Sequence, residues 1–449
     1  MRRKFLGAVT VTLLSAWGFP GICGRAEEPV KPAGEQTSTA VIKPKLIAEQ
    51  TKKGLAYLVS QQQANGGWGQ GGGWRTASEG GRVEGGQVQD PPDVGNTAIA
   101  ALALIRAGHT PKEGEYAKNV AKAIEFIAAK IDKVEKDSPY VTDVLGTQLQ
   151  SKIGQYVDTF LAALVLSELK GKMPDEISEK RLTTALDRTL AKIEKHQKAD
   201  GTFAGNAGWA SVLSQALCSK AINRAAQNGA NVKLEVLERD SRLAANAVDV
   251  KSRDFSATAA EPAASRLASI GRVVDGPSVA GAPSDAGVSI YKFSAAAGGL
   301  QDAVNTNRPA AQRAERVLAD NKASKEAKDE AQATLTRART LEEASGAATN
   351  GILKRLDDKQ FIAGFGNNGG EEFLSYMNIS ETLLAKGGKE WQSWDKSICE
   401  NVHRVQNEDG SWSGHHCITG RTFCTSAALL TLMADRAPVP LAAKIHEGK

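Results

Sequence analysis

The chain has 449 residues, of which 41% are hydrophobic, enough apolar content for a sizeable core. Lysine and arginine number 56 and aspartate and glutamate 51, and four of the basic residues lie within residues 1–26. Residues 27–449 therefore carry 52 basic against 51 acidic side chains. This balance argues against a nucleic-acid partner and against binding to an anionic membrane surface.

The first 26 residues have the pattern of an export signal. Three basic residues at positions 2–4 precede an apolar run over residues 5–19, which is shorter than the roughly 20 residues that cross a bilayer. We expect a signal peptide over residues 1–26, a periplasmic or secreted protein, and no transmembrane segment in the mature chain. The paired arginines leave the twin-arginine route and the general export route both open. Residues 27–45 are polar and contain proline, which predicts a flexible linker.

From residue 46 onward, amphipathic stretches alternate with almost wholly apolar ones. Residues 53–63 carry apolar side chains at helical spacing, and residues 94–107 are apolar and rich in alanine. The first pattern predicts a helix with one buried face, and the second a helix that is buried on most of its surface. Weaker copies of this pair occur at residues 120–131 with 156–169, and near Phe361 with residues 373–385.

A turn motif separates the members of three such pairs. It reads QQANGGW at residues 62–68, QKADGTF at 197–203 and QNEDGSW at 406–412. Asn or Asp before Gly predicts a tight turn with positive φ, and Gln can bond the open backbone groups at a helix end. The final Trp or Phe is expected to pack the turn against neighbouring helices. Three turns with one spacing indicate a protein built from repeated helix pairs.

Residues 53–68 read Lys-Gly-x-x-Tyr-Leu-x-x-x-Gln-x-x-x-Gly-x-Trp, which resembles the complete QW motif of the squalene cyclase and prenyltransferase repeat family. Residues 406–412 match the second half of that motif. The resemblance covers about residues 46–228 and 350–436. It implies an all-α fold, the α/α toroid, in which inner helices line a central cavity and outer helices surround them.

The resemblance predicts how the chain is divided into segments. We expect N-terminal toroid repeats over residues 46–228, a degenerate repeat with an irregular, partly helical insertion over 229–350, C-terminal toroid repeats over 351–436, and a tail over 437–449. Within the insertion, residues 309–341 predict a solvated helical hairpin, because their apolar stripe is thin. Residues 291–304 are interpreted as a further inner helix.

The sequence lacks the signatures of the family's known activities. Terpenoid cyclases protonate an alkene with an Asp-x-Asp-Asp acid, which does not occur here. Asp93 is the nearest substitute, although a solvated turn and helix N-cap is the favoured interpretation of this residue. Prenyltransferases hold zinc with an Asp and a Cys two residues later, whereas Asp158 is followed by Thr159 and Phe160.

One cluster could still carry chemistry, at residues 413–424 (SGHHCITGRTFC). His415 and His416, with Cys417 and Cys424, could bind zinc, and the two histidines together with Asp93 are the candidate catalytic residues.

The favoured interpretation of the same segment involves no metal. In an exported protein Cys417 and Cys424 are expected to form a disulfide that closes a short loop, although the sequence alone does not fix the pairing of the four cysteines beyond residue 26. Arg421 would then face an anionic ligand at the start of the last buried helix.

Two hypotheses about function follow, and the sequence leaves open whether the protein is an enzyme. In the favoured one, the protein binds an apolar small molecule or a peptide in a central cavity, with no cofactor and no catalysis. In the alternative, it is a prenyl-transfer or terpenoid-cyclase type of enzyme with a non-standard site that includes zinc.

Overall fold

The computed structural model describes most of the chain after residue 42. The described residues are 43–74, 82–83, 90–256, 286–366, 368–415 and 417–438. Over them the secondary structure is dominated by helices, and the strands are confined to two antiparallel pairs. The all-α class predicted from the sequence is confirmed. The expected signal peptide, the linker up to residue 42 and the tail from residue 439 lie outside the described residues.

The helices of this part of the chain are of three kinds. The amphipathic helices are α1 Glu49–Gln61, α3 Ala117–Lys133, α6 Glu176–His196, α8 Leu234–Ala245, α10 Lys325–Leu353 and α13 Gly388–Arg404. The helices buried along half or all of their length are α2 Val94–Arg106, α5 Val157–Leu169, α7 Ser211–Gln227, α9 Ser289–Ala319, α12 Gly370–Lys386 and α14 Arg421–Leu432. Two short helices, α4 Gln148–Ile153 and α11 Lys359–Ala363, and a 3-10 turn Ala434–Arg436 complete the set.

The strands are short. β1 Gly73–Trp74 pairs with β2 Arg82–Val83, and Gly73 lies opposite Val83. β3 Val248–Asp249 pairs with β4 Asp254–Phe255, and Val248 lies opposite Phe255.

The buried helices contact one another in sequence order. α2 contacts α5, α5 contacts α7, α7 contacts α9, α9 contacts α12, α12 contacts α14, and α14 contacts α2. Each amphipathic helix packs against one or two of them: α1 against α14 and α2, α3 against α2, α6 against α5, α8 against α7 and α9, α10 against α9, and α13 against α12 and α14. The succession of contacts therefore returns from the last buried helix to the first.

Side-chain size explains which helices are buried. α2 reads VGNTAIAALALIR, and all of its residues are buried, because alanine and glycine let neighbouring helices approach from several sides. In α3 the buried residues Val120, Ile124, Ile127 and Ile131 follow a spacing of three or four, so only one face is buried. The predicted alternation of amphipathic and buried helices is confirmed for these elements.

The two turns that end in tryptophan have the same hydrogen bonds. The Gln62 Nε2 donates to Gly66 O at 2.8 Å, and the Gln406 Nε2 donates to Gly410 O at 2.8 Å. Both glycines have positive φ, +89° and +88°, in the left-handed region that favours glycine. The turn conformation predicted from the sequence is confirmed. The glutamine was expected to bond the open backbone groups of its helix end, and it bonds the turn glycine and a neighbouring helix instead.

The tryptophans of these turns are fully buried. Trp68 Nε1 donates to Leu58 O and Trp412 Nε1 donates to Val402 O, each at 2.7 Å and each to the preceding amphipathic helix. Their backbone N–H groups donate to threonine hydroxyls of the following buried helix. Each tryptophan thus ties together the two helices of its pair.

The third turn differs from these two in its side-chain hydrogen bonds. Gly201 again has positive φ and Phe203 is buried, but the Gln197 Nε2 donates to Val236 O, in α8, at 3.2 Å. Phenylalanine has no side-chain N–H group, so this turn lacks the bond that the tryptophans make to the helix before them.

The region from 229 to 350 contains two long helices. The first half of α9 is buried, as expected for residues 291–304, and the helix continues through Pro309. Its second half and the first part of α10 form a largely solvated hairpin with a small core of Ala314, Ala331 and Leu335, as predicted for residues 309–341. The helix predicted near Phe361 is only the short α11. The amphipathic helix before α12 in the chain is α10, which packs mainly against α9.

Candidate functional site

Asp93 caps the start of α2. Its Oδ1 accepts a hydrogen bond from Asn96 N at 2.7 Å, and its Oδ2 accepts one from Asn96 Nδ2 at 2.8 Å. The side chain is buried, since Asp93 is only 4% exposed. The interpretation of Asp93 as an N-cap is confirmed, whereas the expectation of a solvated turn was wrong, because α2 begins inside the core.

A second carboxyl group lies beside it. Asp158, in the first turn of α5, accepts hydrogen bonds from Gly95 N and from Gln150 Nε2, both at 2.8 Å. A methyl group placed on Gly95 would lie 3.3 Å from Asp158 Oδ1 and 3.5 Å from Asp93 Oδ1. The two carboxyl groups therefore flank Gly95 at the start of two adjacent buried helices.

The electrostatics of this pair follow from burial. Burial raises the pKa of Asp93 to about 7, and the charge of the neighbouring Asp158 acts in the same direction. Burial also raises the pKa of Asp158, against the hydrogen bonds from Gln150 and Gly95. Because two neighbouring carboxylates repel each other, the charge of Asp158 adds to burial in disfavouring the ionised form of Asp93.

A second acidic pair begins α12. Glu372 accepts hydrogen bonds from Gly369 N at 2.8 Å and from the Tyr291 hydroxyl at 2.8 Å. Glu371 accepts from Ile418 N at 3.3 Å. Burial, and then the charge of Glu372, raises the pKa of Glu371 to about 8. These carboxyl groups bind α12 to the start of α9 and to the segment before α14.

The cysteines predicted to form a disulfide are free thiols in this structure. Cys424 is buried within α14, and its Sγ lies 3.3 Å from Ile418 O. Cys417 is half-buried and has positive φ, and its carbonyl accepts a hydrogen bond from Gln148 Nε2. Burial, and then the charge of Glu371, raises the pKa of the Cys417 thiol to about 11, which disfavours the thiolate needed for nucleophilic attack or metal binding.

Of the two candidate histidines, only His415 lies within the described residues. His415 is exposed, and the side chain of His416 lies outside the described residues. Among the residues that the structure describes, no three His, Cys, Asp or Glu side chains are grouped so that they could hold a metal ion.

Arg421 lies at the start of α14, as predicted, but its guanidinium points to the surface. Its Nη1 donates to Asp409 Oδ2 at 2.6 Å, in the last QW turn. The pair lines a surface pocket of 570 Å³ with Tyr57 and Lys53 of α1. Arg421 therefore belongs to the contact between α14 and α1. Its bonded carboxylate is that of Asp409, outside the two buried carboxyl pairs.

A buried ionic network joins five buried helices, α2, α5, α7, α9 and α12. Its members are Arg106, Glu168, Lys220, Arg224, Asp302 and Glu381. Arg106 donates to Glu381 at 2.9 Å and to Glu168 at 3.1 Å, and Lys220 donates to Glu381 at 2.6 Å. This network was not predicted from the sequence, although a charged residue inside an otherwise apolar helical run was the available signal.

A groove lies among the outer helices. It has a volume of about 990 Å³ and is bounded by the end of α10 and α11 on one side and by α13 on the other. Its polar lining residues are Asp357, Lys359, Asn368, Lys389, Glu390, Ser393, Ser397, Asn401 and Arg404. Tyr376 and Trp394 contribute aromatic surface. The groove was not predicted from the sequence, because it lies between elements far apart in the chain.

Comparisons with models of known protein families and with curated proteins give no match to this chain. Within the described residues, none of the helices combines the length and the apolar character needed to cross a membrane.

Proposed function

We propose that the chain is an exported α/α toroid that binds a peptide and catalyses no reaction. The observation that carries the proposal is the 990 Å³ groove beside α13, which combines an apolar floor with polar groups on both sides. The buried carboxyl groups at the helix starts accept hydrogen bonds from backbone N–H groups, a use that is structural.

The toroid is supported by the order of the helix contacts. Six buried helices contact one another in succession, and α14 contacts α2, as six hairpins closed into a ring would require. The resemblance of residues 53–68 to the QW motif supports the same arrangement. All residues of α2 and α5 are buried, so these inner helices are packed on every side, and we propose the outer groove as the binding site in place of a central cavity.

A peptide suits the groove for reasons of length and chemistry. Along α13 the lining runs from Lys389 to Arg404, about 22 Å of helix, which matches about seven residues of extended chain. Ser393, Ser397 and Asn401 are spaced four apart, so they lie along one face of α13. Their hydroxyl and amide groups can bond the backbone of an extended peptide, and Trp394 and Ile398 between them can pack its apolar side chains.

The test is selection from a random peptide library by the mature protein, followed by titration of the enriched peptides. Ser397→Trp should weaken their binding by about tenfold or more, because the ring fills the groove. Gln392→Trp places the same ring on an exposed part of α13 that does not line the groove, and it should leave binding unchanged. Equal binding by both variants would reject the groove as the site.

The acidic pair at the start of α2 and α5 favours a second candidate, an acid catalyst of the terpenoid-cyclase type. Asp93 and Asp158 can hold one proton between them in a buried setting, which is the condition for protonating an alkene. Incubation with squalene tests it: a cyclised product that is lost in Asp158→Asn would replace the binding proposal with the enzymatic one.

The zinc-dependent version of that candidate is tested separately. Metal analysis of the mature protein measures whether stoichiometric zinc is present, and mapping of unreduced peptides measures whether Cys417 and Cys424 are bonded. Zinc together with two free thiols would support a prenyl-transfer type of enzyme.

A further inference from the structure

A small cavity with one polar end lies between α7, α8 and α9. It has a volume of about 140 Å³, close to that of cavities that hold a benzene-sized molecule. Ala216, Ala244 and Ala296 contribute to its apolar wall. Its polar lining residues are Gln215, Ser219, Asp240 and Lys292. The cavity is separate from the groove beside α13 and from the acidic pairs at the helix starts.

The polar end contains a buried acceptor that lacks a donor. Ser219 Oγ donates to Asp240 Oδ2 at 2.6 Å, and Gln215 Nε2 makes a long contact of 3.4 Å to Asp240 Oδ1. The Gln215 Oε1 is buried and accepts no hydrogen bond from the described residues, although Gln215 is only 7% exposed. A buried acceptor without a donor is unfavourable, so a ligand that donates a hydrogen bond to it would be favoured.

Asp240 is a buried carboxyl group, and burial disfavours its charged form by raising its pKa to about 7. Asp240 is 2% exposed, and its hydrogen-bond partners, Ser219 and Gln215, are neutral. The negative charge of Asp302 also raises the pKa of Asp240. A ligand that brings positive charge and several N–H donors would satisfy both Asp240 and Gln215.

We propose that this cavity binds a small primary ammonium compound with a short alkyl chain. The ammonium group would donate to the Asp240 carboxylate and to Gln215 Oε1, and the alkyl chain would lie against the alanine side chains. A carboxylate that receives a charged donor inside the protein gives a stronger hydrogen bond than a neutral pair, which sets the preference for an amine over an alcohol of the same length. The proposal does not depend on the function assigned to the groove.

The test is calorimetric titration of the mature protein with n-butylammonium, n-butanol and n-butyrate. Butylammonium should bind at least about tenfold more tightly than butanol, and Asp240→Asn should remove that difference. Butyrate tests the opposite charge preference, because Lys292 also lines the cavity. Tighter binding of butyrate, equal binding of amine and alcohol, or absence of amine binding because the cavity holds only water would each overturn the proposal.

A cavity-filling variant keeps the test valid if Asp240→Asn unfolds. Ala296→Leu should abolish amine binding, because the larger side chain occupies the cavity. Ala333→Leu adds the same atoms at an exposed position of α10 and should leave binding unchanged. Amine binding that survives Ala296→Leu would place the ligand elsewhere and contradict the proposal.

Discussion

Asp93 and Asp158 start two neighbouring buried helices with their carboxyl groups on either side of Gly95. A Cβ atom at Gly95 would lie 3.3 Å from Asp158 Oδ1, 3.5 Å from Asp93 Oδ1 and 3.1 Å from Leu149 Cδ1. There is little room for any side chain at this position. Two acidic groups can therefore sit together in the core only because the residue between them is glycine.

Gly95→Ala should destabilise the protein by about 1–3 kcal/mol, as overpacking does in a close-packed core. Gly346 is the matched control, because it lies within α10 and a Cβ atom added there would meet no neighbouring atom within 4 Å. Gly346→Ala should stabilise by about 0.5–1 kcal/mol, the usual gain from alanine in a helix. Chemical denaturation measures both, and a stabilising Gly95→Ala would contradict the crowded geometry.

The acidic pair should make stability fall as pH rises. The folded-state pKa of Asp93 is about 7 against an ordinary value of 3.8, so the folded protein binds the extra proton between these values. The free energy of unfolding should therefore decrease from about pH 4 to pH 7 through this group. Asp93→Asn should flatten that slope in denaturation curves measured across the range. An unchanged slope would mean that Asp93 is ionised in the folded protein.

The ionic network should show the opposite pH dependence. Burial alone would raise the pKa of Glu381, but Lys220 and Arg106 overcome it and lower the pKa to about 2, below the ordinary 4.5. The stabilisation from Glu381 is therefore present above pH 4.5 and is lost as pH falls toward 2.

Glu381→Gln should cost about 3–5 kcal/mol at neutral pH, because it leaves Arg106 and Lys220 without their shared partner. Glu125→Gln breaks an exposed ion pair with Arg181 and should cost less than about 1 kcal/mol. Equal losses of unfolding free energy in the two variants, measured by urea denaturation, would show that the buried network stabilises the protein no more than an exposed ion pair does.

Loss of either turn tryptophan, Trp68 or Trp412, should destabilise the protein far more than loss of an exposed tryptophan. Trp68→Ala and Trp412→Ala should each cost about 3–5 kcal/mol, because each ring is fully buried and bonded to the preceding helix. Trp209 is 45% exposed and touches Phe365, so Trp209→Ala should cost less than about 1.5 kcal/mol. A loss below about 0.5 kcal/mol at Trp68 would make its turn dispensable.

The local elements could be predicted from the sequence because their causes are local. The turn of Gln62, Gly66 and Trp68 and the burial of α2 depend on residue types at fixed spacings, which a single sequence displays. The predicted flexible linker extends to residue 45, whereas Lys45 is ion-paired with Asp395 of α13, a partner 350 positions away. No local pattern indicates such a contact.

The site was harder to predict for the same reason. Asp158 stands out in the sequence, but its closeness to Asp93 depends on how α2 and α5 pack. Arg421 was placed correctly at a helix start, yet its side chain bonds Asp409 of the preceding turn and points away from the core. Side-chain direction at a helix start depends on neighbours that can come from any part of the chain.

The proposed ring requires that the first and last helical hairpins meet. Lys45 Nζ lies 2.6 Å from Asp395, so zero-length carbodiimide coupling of the mature protein should join these residues, and peptide mass mapping should detect the product. Lys130 and Asp143, 2.7 Å apart, provide a positive control from local structure. Both products are expected, with the Lys45 product lost in Asp395→Asn. Formation of the Lys130 product alone would contradict ring closure.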